Sequence, residues 1–135
     1  MKSEDDYKKF SGPAPDWSKA TSLVQVNLDG NSLTGTMKLP ASVLAVSLTN
    51  NMLNGLDFSA PPDQLSLIDL QIDGNQLDGT IPDYMSSAPK LIRLSATNNG
   101  FTSLPGSWST PALGVINLHS NQLQVCSSEV FFKVK

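Results

Sequence analysis

Residues 67–77, Leu67-Ile68-Asp69-Leu70-Gln71-Ile72-Asp73-Gly74-Asn75-Gln76-Leu77, place apolar side chains at the first, fourth, sixth and eleventh positions and an asparagine at the ninth. The same frame returns four more times, with its asparagine at Asn31, Asn51, Asn99 and Asn121. Neighbouring asparagines stand 20, 24, 24 and 22 residues apart. A recurrence at that period marks a chain assembled from stacked supersecondary units.

Counted back eight, five and three residues from each asparagine and forward two, the apolar positions are Leu23, Val26, Leu28, Leu33; Val43, Val46, Leu48, Leu53; Leu67, Leu70, Ile72, Leu77; Leu91, Leu94, Ala96, Phe101; and Leu113, Ile116, Leu118, Leu123. Around the middle pair of each set polar and apolar residues alternate, the two-residue period of a half-buried strand, and Asn, Gly and Asp follow as turn formers. No single turn encloses its own apolar side, so the turns must stack and the columns merge into one core. Where each strand bends away, backbone groups leave the ladder, and a side-chain amide with donors and an acceptor can satisfy them. The column Asn31, Asn51, Asn75, Asn99, Asn121 is therefore expected to be a structural asparagine ladder rather than a ligand site.

After the asparagine come Leu33-Thr34-Gly35-Thr36-Met37, Leu77-Asp78-Gly79-Thr80-Ile81-Pro82 and, more loosely, Leu53-Asn54-Gly55-Leu56 and Leu104-Pro105. The pattern resembles the LxGxIP signature of the plant-type leucine-rich repeat, found in receptor-like kinase ectodomains, polygalacturonase-inhibitor-like proteins and algal and protist surface proteins. The resemblance covers about residues 13 to 126, since Pro15-Asp16-Trp17-Ser18 matches the back half of a repeat such as Pro82-Asp83-Tyr84-Met85-Ser86. It implies an α/β solenoid: a right-handed leucine-rich-repeat superhelix of about five repeats with one short parallel strand each, and mostly loop and 3-10 turns on the convex side. Residues 1–12 are expected to form a cap helix or a tail. The helix reading rests on Ser3 and Asp6 at capping-box spacing, Tyr7 and Phe10 on one face over the leucine end, and a stop at Gly12-Pro13. Residues 13–126 form the solenoid, and 127–135, with apolar Val130-Phe131-Phe132, a C-terminal cap segment or an exposed edge.

At 135 residues the chain can bury a core of its own, and 39% apolar with 16% charged residues is the composition of a folded domain. The net charge of -3 and the lack of any basic stripe exclude a nucleic-acid footprint. No apolar run is long enough to cross a bilayer, and the opening MKSEDDYKKF lacks a signal-peptide core. A single cysteine, Cys126, cannot close an internal disulfide, and no N-x-Ser/Thr acceptor is present. Either the compartment is reducing, or the chain is a piece of a longer protein; the second is preferred. The resemblance implies an extracellular or cell-surface setting.

Recognition is expected on the strand face pointing away from the core. Candidate ligand-binding residues there are Asp29, Thr49, Asp69, Gln71, Asp73, Arg93, Thr97, Asn117 and His119, with Asp69 and Arg93 placed for a cross-strand ion pair and Asp29 and Asp73 flanking Thr49 as an acidic strip. This face is short-chained and polar and has few of the aromatic anchors of a tight protein interface. Trp17 and Trp108 fall in the convex segment beside Tyr84 and are expected to pack under the next turn, with a contact site on the convex side as the alternative.

Chemistry has little footing. His119 and Cys126 are the lone histidine and cysteine and lie on different sides of a turn, too few for zinc and too separated for a Cys-His pair. Asp69 and Asp73 would stand about 13 Å apart along a strand, beyond the roughly 5 to 9.5 Å of glycosidase carboxylates. The expectation is a non-enzymatic recognition module without metal or cofactor. Its concave strand face would bind a protein, peptide or glycan as part of a receptor-like surface protein. The alternatives are an inhibitor of a secreted hydrolase, as the resemblance to polygalacturonase-inhibitor-like proteins implies, and a structural spacer. Open strand edges also allow end-to-end self-association.

Overall fold

The structure, a computed structural model, describes residues 9–123. In chain order its strands are β1 (Ser11–Pro13), β2 (Gln25–Asn27), β3 (Ser32–Leu39), β4 (Ala45–Ser47) and β5 (Met52–Phe58). Then come β6 (Asp69–Gln71), β7 (Asp78–Thr80), the single-turn helix α1 (Asp83–Ser86), β8 (Arg93–Ser95), β9 (Gly100–Ser103) and β10 (Val115–Asn117). A 3-10 turn occupies Pro62–Gln64.

Strands β2, β4, β6, β8 and β10 form one parallel sheet in that order, so each turn of chain adds one strand beside its predecessor. Their register puts Val26, Val46, Leu70, Leu94 and Ile116 in one row. The first four of these are buried, as are Leu48, Ile72 and Ala96 in the next column and Leu33, Leu53, Leu77 and Phe101 beyond the asparagines. The columns fade to half-buried at the outermost described turns, at Leu23, Leu28, Ile116, Leu118 and Leu123, where a neighbour is present on one side alone. Each fully buried leucine contributes about 1.5–3 kcal/mol, more than any single polar contact. Burial therefore drives stacking, and the polar groups set register.

The asparagines act as staples between turns. Asn75 Nδ2 donates to the carbonyl of Leu48 on the preceding turn (2.9 Å) and of Ile72 on its own (3.1 Å), while its Oδ1 accepts from the Leu53 N–H (3.0 Å). Asn51, Asn99 and Asn121 repeat the pattern with the preceding-turn carbonyls of Leu28, Ile72 and Ala96 and the N–H groups of Leu33, Leu77 and Phe101. The residue just before the asparagine has a left-handed backbone in every turn: Gly30 (φ 71°), Asn50 (59°), Gly74 (66°), Asn98 (54°) and Ser120 (59°). That conformation turns the chain out of the sheet, and Gly and Asn tolerate it best. At Gly74 a Cβ would also meet Asn50 Oδ1, so the exposed Asn50 side chain would have to swing aside for any other residue.

The flank after the asparagine departs from the expected loops and 3-10 turns. It carries a second set of parallel strands, β1-β3-β5 and, separately, β7-β9, so most turns hold two strands rather than one. The register slips between Gly35 and Thr36 and between Gly79 and Thr80, where each glycine has φ 76°. Gly35 and Gly79 keep their partners, Leu53 and Phe101, and the residue left unpaired at each bulge is on the next turn, Asn54 and Thr102.

Residues 1–8 and 124–135 lie outside the described part, and with them most of the cap-helix reading, Tyr7, and the C-terminal segment 127–135. Of the expected cap helix, Ser11 and Gly12 are in strand β1. Phe10 is 66% exposed instead of covering the leucine end. The physical reason is the ladder itself: Asn31 Oδ1 accepts from the Phe10 N–H (2.9 Å) and the Ser32 N–H donates to the Phe10 carbonyl (2.7 Å), drawing this segment out as an extra strand. Trp17 and Trp108 pack half-buried against the core, and Tyr84 is buried beside Phe58, with ring centroids 5.3 Å apart.

Candidate functional site: the concave strand face

Outward-facing residues of the concave sheet line up across turns as Gln25, Ala45, Asp69, Arg93, Val115 and as Asn27, Ser47, Gln71, Ser95, Asn117. Of the nine candidates, Asp29, Arg93 and His119 are exposed, Thr49, Asp69, Gln71, Asp73 and Asn117 are half-buried, and Thr97 is buried. The structure brings all nine to one face. It does not leave all nine free.

The supposed acidic strip is spent within the fold. Asp29 accepts from the Ser47 hydroxyl (2.7 and 2.9 Å to its two oxygens) and from the Thr49 N–H (2.8 Å) on the next turn. Two turns on, Asp73 does the same with the Ser95 hydroxyl (2.7 and 3.0 Å) and the Thr97 N–H (2.7 Å). An aspartate two residues before the asparagine, followed one turn later by Ser-x-Thr, is a latch between turns. Charge-assisted bonds of this kind are about twice as strong as neutral ones.

The expected ion pair is absent. Asp69 and Arg93 are direct partners in register, but the Asp69 carboxylate accepts from the Gln71 side-chain amide (3.2 and 3.5 Å), and among the described residues the Arg93 guanidinium forms no ion pair. Gln71 lies two residues on along the same strand, on the same face, and is nearer at hand than a long solvated arginine that would lose side-chain freedom to pair. His119 shares a 3.1 Å hydrogen bond between its Nδ1 and Ser120 Oγ. Cys126 lies outside the described residues.

Sequence reasoning missed an apolar stripe. Val24, Leu44, Ile68 and Ile92, seven residues before successive asparagines, are 50, 37, 37 and 49% exposed. Their backbones are in direct register: the N–H groups of Leu44, Ile68 and Ile92 donate to the carbonyls of Val24, Leu44 and Ile68 at 2.7, 2.8 and 2.8 Å. At roughly 4.8 Å per turn the four side chains make a ridge about 14 Å long where the chain enters the concave sheet. Val115, 49% exposed, stands next to its end on β10. The signal was present in the sequence as an aliphatic residue in one slot of four of the five repeats. An exposed apolar row rimmed by polar groups is a candidate interaction surface.

No protein-family model matches the chain. It is similar to Receptor like protein 22 of Arabidopsis thaliana, with 32% identity over 95 residues, 67% of this chain and 12% of that protein. Receptor like protein 27 of the same plant is 30% identical over 67% of the chain and 12% of its own length. Toll-like receptor 6 of Mus musculus is 27% identical over 78% of the chain and 13% of its own length. The repeat of this chain and its parallel-strand solenoid are those of a plant-type leucine-rich repeat. The chain spans about an eighth of the length of these curated relatives. Among the described residues no helix is long and apolar enough to cross a membrane, and no three His, Cys, Asp or Glu side chains converge as a metal site.

Proposed function

We propose that this segment is a non-enzymatic recognition module of a receptor-like protein and that it binds an extended peptide segment of a protein ligand across the concave strands. The observation that carries the reading is the ridge of Val24, Leu44, Ile68 and Ile92 beside exposed polar groups of the concave face, Asn27 and Arg93 in its strands and His119 just past β10. Apolar side chains of the ligand would sit on the ridge, and its main-chain groups would meet the polar side chains. The stacked core and the two aspartate latches hold these groups in place beforehand, which keeps the ordering cost of binding low. An aliphatic ridge suits a peptide better than a glycan, and the tryptophans pack on the core.

The test is selection of extended peptides from a random library against the native chain, followed by measurement on variants. Ile68→Lys and Arg93→Ala are expected to weaken the selected peptides by about tenfold or more, with Ile68→Lys the larger effect. Selected peptides that bind both variants as tightly as the native chain would favour a spacer role instead.

A further inference from the structure

The second sheet is cut in two. Strands β3 and β5 pair, as do β7 and β9, but β5 and β7, on successive turns, belong to separate sheets. The turns are still joined where the Gln76 N–H donates to the Leu53 carbonyl (2.8 Å), and beyond that link they part. The gap is a cleft of about 280 Å³. Asp57 of β5 stands on one side, Asp78 of β7 and Asp83 of α1 on the other, and the buried side chains of Leu56 and Phe101 back it. It lies in the middle of the solenoid, so further turns stacked on either end would leave it as it is.

Two observations single this cleft out. Among the described residues the three carboxylates make neither hydrogen bond nor ion pair, whereas Asp29 and Asp73 on the concave face are each taken by the next turn. Independently, Tyr84 also lines the cleft; it is only 9% exposed, yet its hydroxyl has no hydrogen-bond partner among the described residues. The hydroxyl is not a sealed-off orphan, since among the described residues every buried side-chain nitrogen and oxygen has a partner; it opens onto the cleft, where a ligand can reach it. Burial, and then the negative charges of Asp57 and Asp83, raise its pKa, so it remains a neutral O–H. These carboxylates do not converge closely enough to make a metal site. A cation that answers them must be spread out in space.

We propose that the cleft receives an arginine side chain of a partner protein. The planar guanidinium carries five N–H donors in a fixed fork, so carboxylates on both walls and the Tyr84 oxygen can accept from it together. It is weakly hydrated and rides on an aliphatic stem, which suits the backing of Leu56 and Phe101. The facing edges of β5 and β7 leave main-chain groups outside any ladder, available to the peptide on either side of the arginine. This contact is separate from the concave-face reading and stands or falls without it.

The experiment is a ¹H–¹⁵N titration of the chain with N-acetyl-arginine methylamide, against the neutral isostere N-acetyl-citrulline methylamide. The arginine compound is expected to shift the amides of Gly55, Leu56, Asp57, Asp78, Gly79 and Thr80 at millimolar concentration, and citrulline to leave them in place. Asp57→Asn combined with Asp83→Asn should weaken the effect by about tenfold, and Tyr84→Phe by a few-fold. Ile68→Lys on the concave face should leave it unchanged. Equal shifts from citrulline, shifts confined to the concave strands, or full binding by the double variant would each overturn the proposal. All three carboxylates are exposed, so the double variant should fold; if its own spectrum departs from the native one, Asp78→Asn serves in its place.

Discussion

Asp73 and Ser95 sit on successive turns and are joined by hydrogen bonds of 2.7 and 3.0 Å from the Ser95 hydroxyl to the two carboxylate oxygens. The same carboxylate takes the Thr97 N–H, and Asp29 repeats the whole arrangement with Ser47 and Thr49. Hydrophobic columns alone permit a turn to slide along its neighbour, because one leucine packs on another at many offsets. A carboxylate that must meet a hydroxyl and an N–H at once fixes the register. The aspartates that look most like ligand contacts are therefore parts of the scaffold.

Replacing Asp73 with alanine removes both bonds and should lower stability by about 1–2 kcal/mol, since the group is half-buried and its bonds are charge-assisted. Asp29→Ala, at an exposed position, should cost less. A double-mutant cycle of Asp73→Ala with Ser95→Ala in urea unfolding should show a coupling of about 1 kcal/mol. Additive single effects would mean that the latch contributes nothing.

The asparagine ladder should show a gradient. Asn75 is buried and satisfies one N–H and two carbonyls that no water reaches, so Asn75→Ala should cost about 3–5 kcal/mol. Asn31 is half-buried at an outer turn of the described part, and Asn31→Ala should cost about 1 kcal/mol. Asn75→Asp is the sharper variant: a carboxylate keeps the acceptor but offers no donor to the Leu48 and Ile72 carbonyls, and should be as damaging as alanine. Chemical denaturation of the three variants ranks them directly.

How far the sequence could be read depended on whether a feature is local or needs two turns placed side by side. The columns through Val46, Leu70 and Leu94 and the slots of the asparagines follow from a repeat that any single turn displays. The pairing of Asp73 with Ser95 spans 22 residues and exists because β6 and β8 share a register. The misjudged contact of Asp69 with Arg93 had the right register and the wrong partner, because Gln71 competes from the same strand. The second strands were missed although Ser32–Leu39 turns Leu33, Met37 and Leu39 inward at alternate positions over eight residues, because Gly35 interrupts that alternation and reads as a turn former. The cleft was the least legible feature, since it exists only where β5 and β7 fail to pair. The ridge of Val24, Leu44, Ile68 and Ile92 was legible in principle, as one repeat slot that stays aliphatic without facing the core.

Ser120 is the odd member among residues that leave the concave sheet with a left-handed backbone, the others being glycine or asparagine. Its φ of 59° costs an ordinary L-residue about 1–2 kcal/mol, and asparagine less. Ser120→Asn should raise stability by about 0.5 kcal/mol, although it gives up the exposed bond to His119. Ser120→Val should lower it by more than about 1 kcal/mol, because a β-branched side chain resists this conformation most. Thermal melts of the two variants should move in opposite directions.

Tyr84 gives a stability dependence at alkaline pH whose sign can be worked out. Burial, then the charges of Asp57 and Asp83, raise its pKa above the usual phenol value. Below about pH 10 the tyrosine holds its proton in both the folded and the unfolded chain, so it contributes no slope. Above that the unfolded chain ionises first and binds fewer protons than the native one, so stability falls as pH rises toward the folded pKa. Lysines titrate in the same range, and the comparison of native chain with Tyr84→Phe isolates the phenol. The urea midpoint of the native chain should fall more steeply above about pH 10 than that of the variant. Parallel decline of the two would show that the phenol ionises as readily in the folded chain as in the unfolded one, and that the cleft does not hold it neutral.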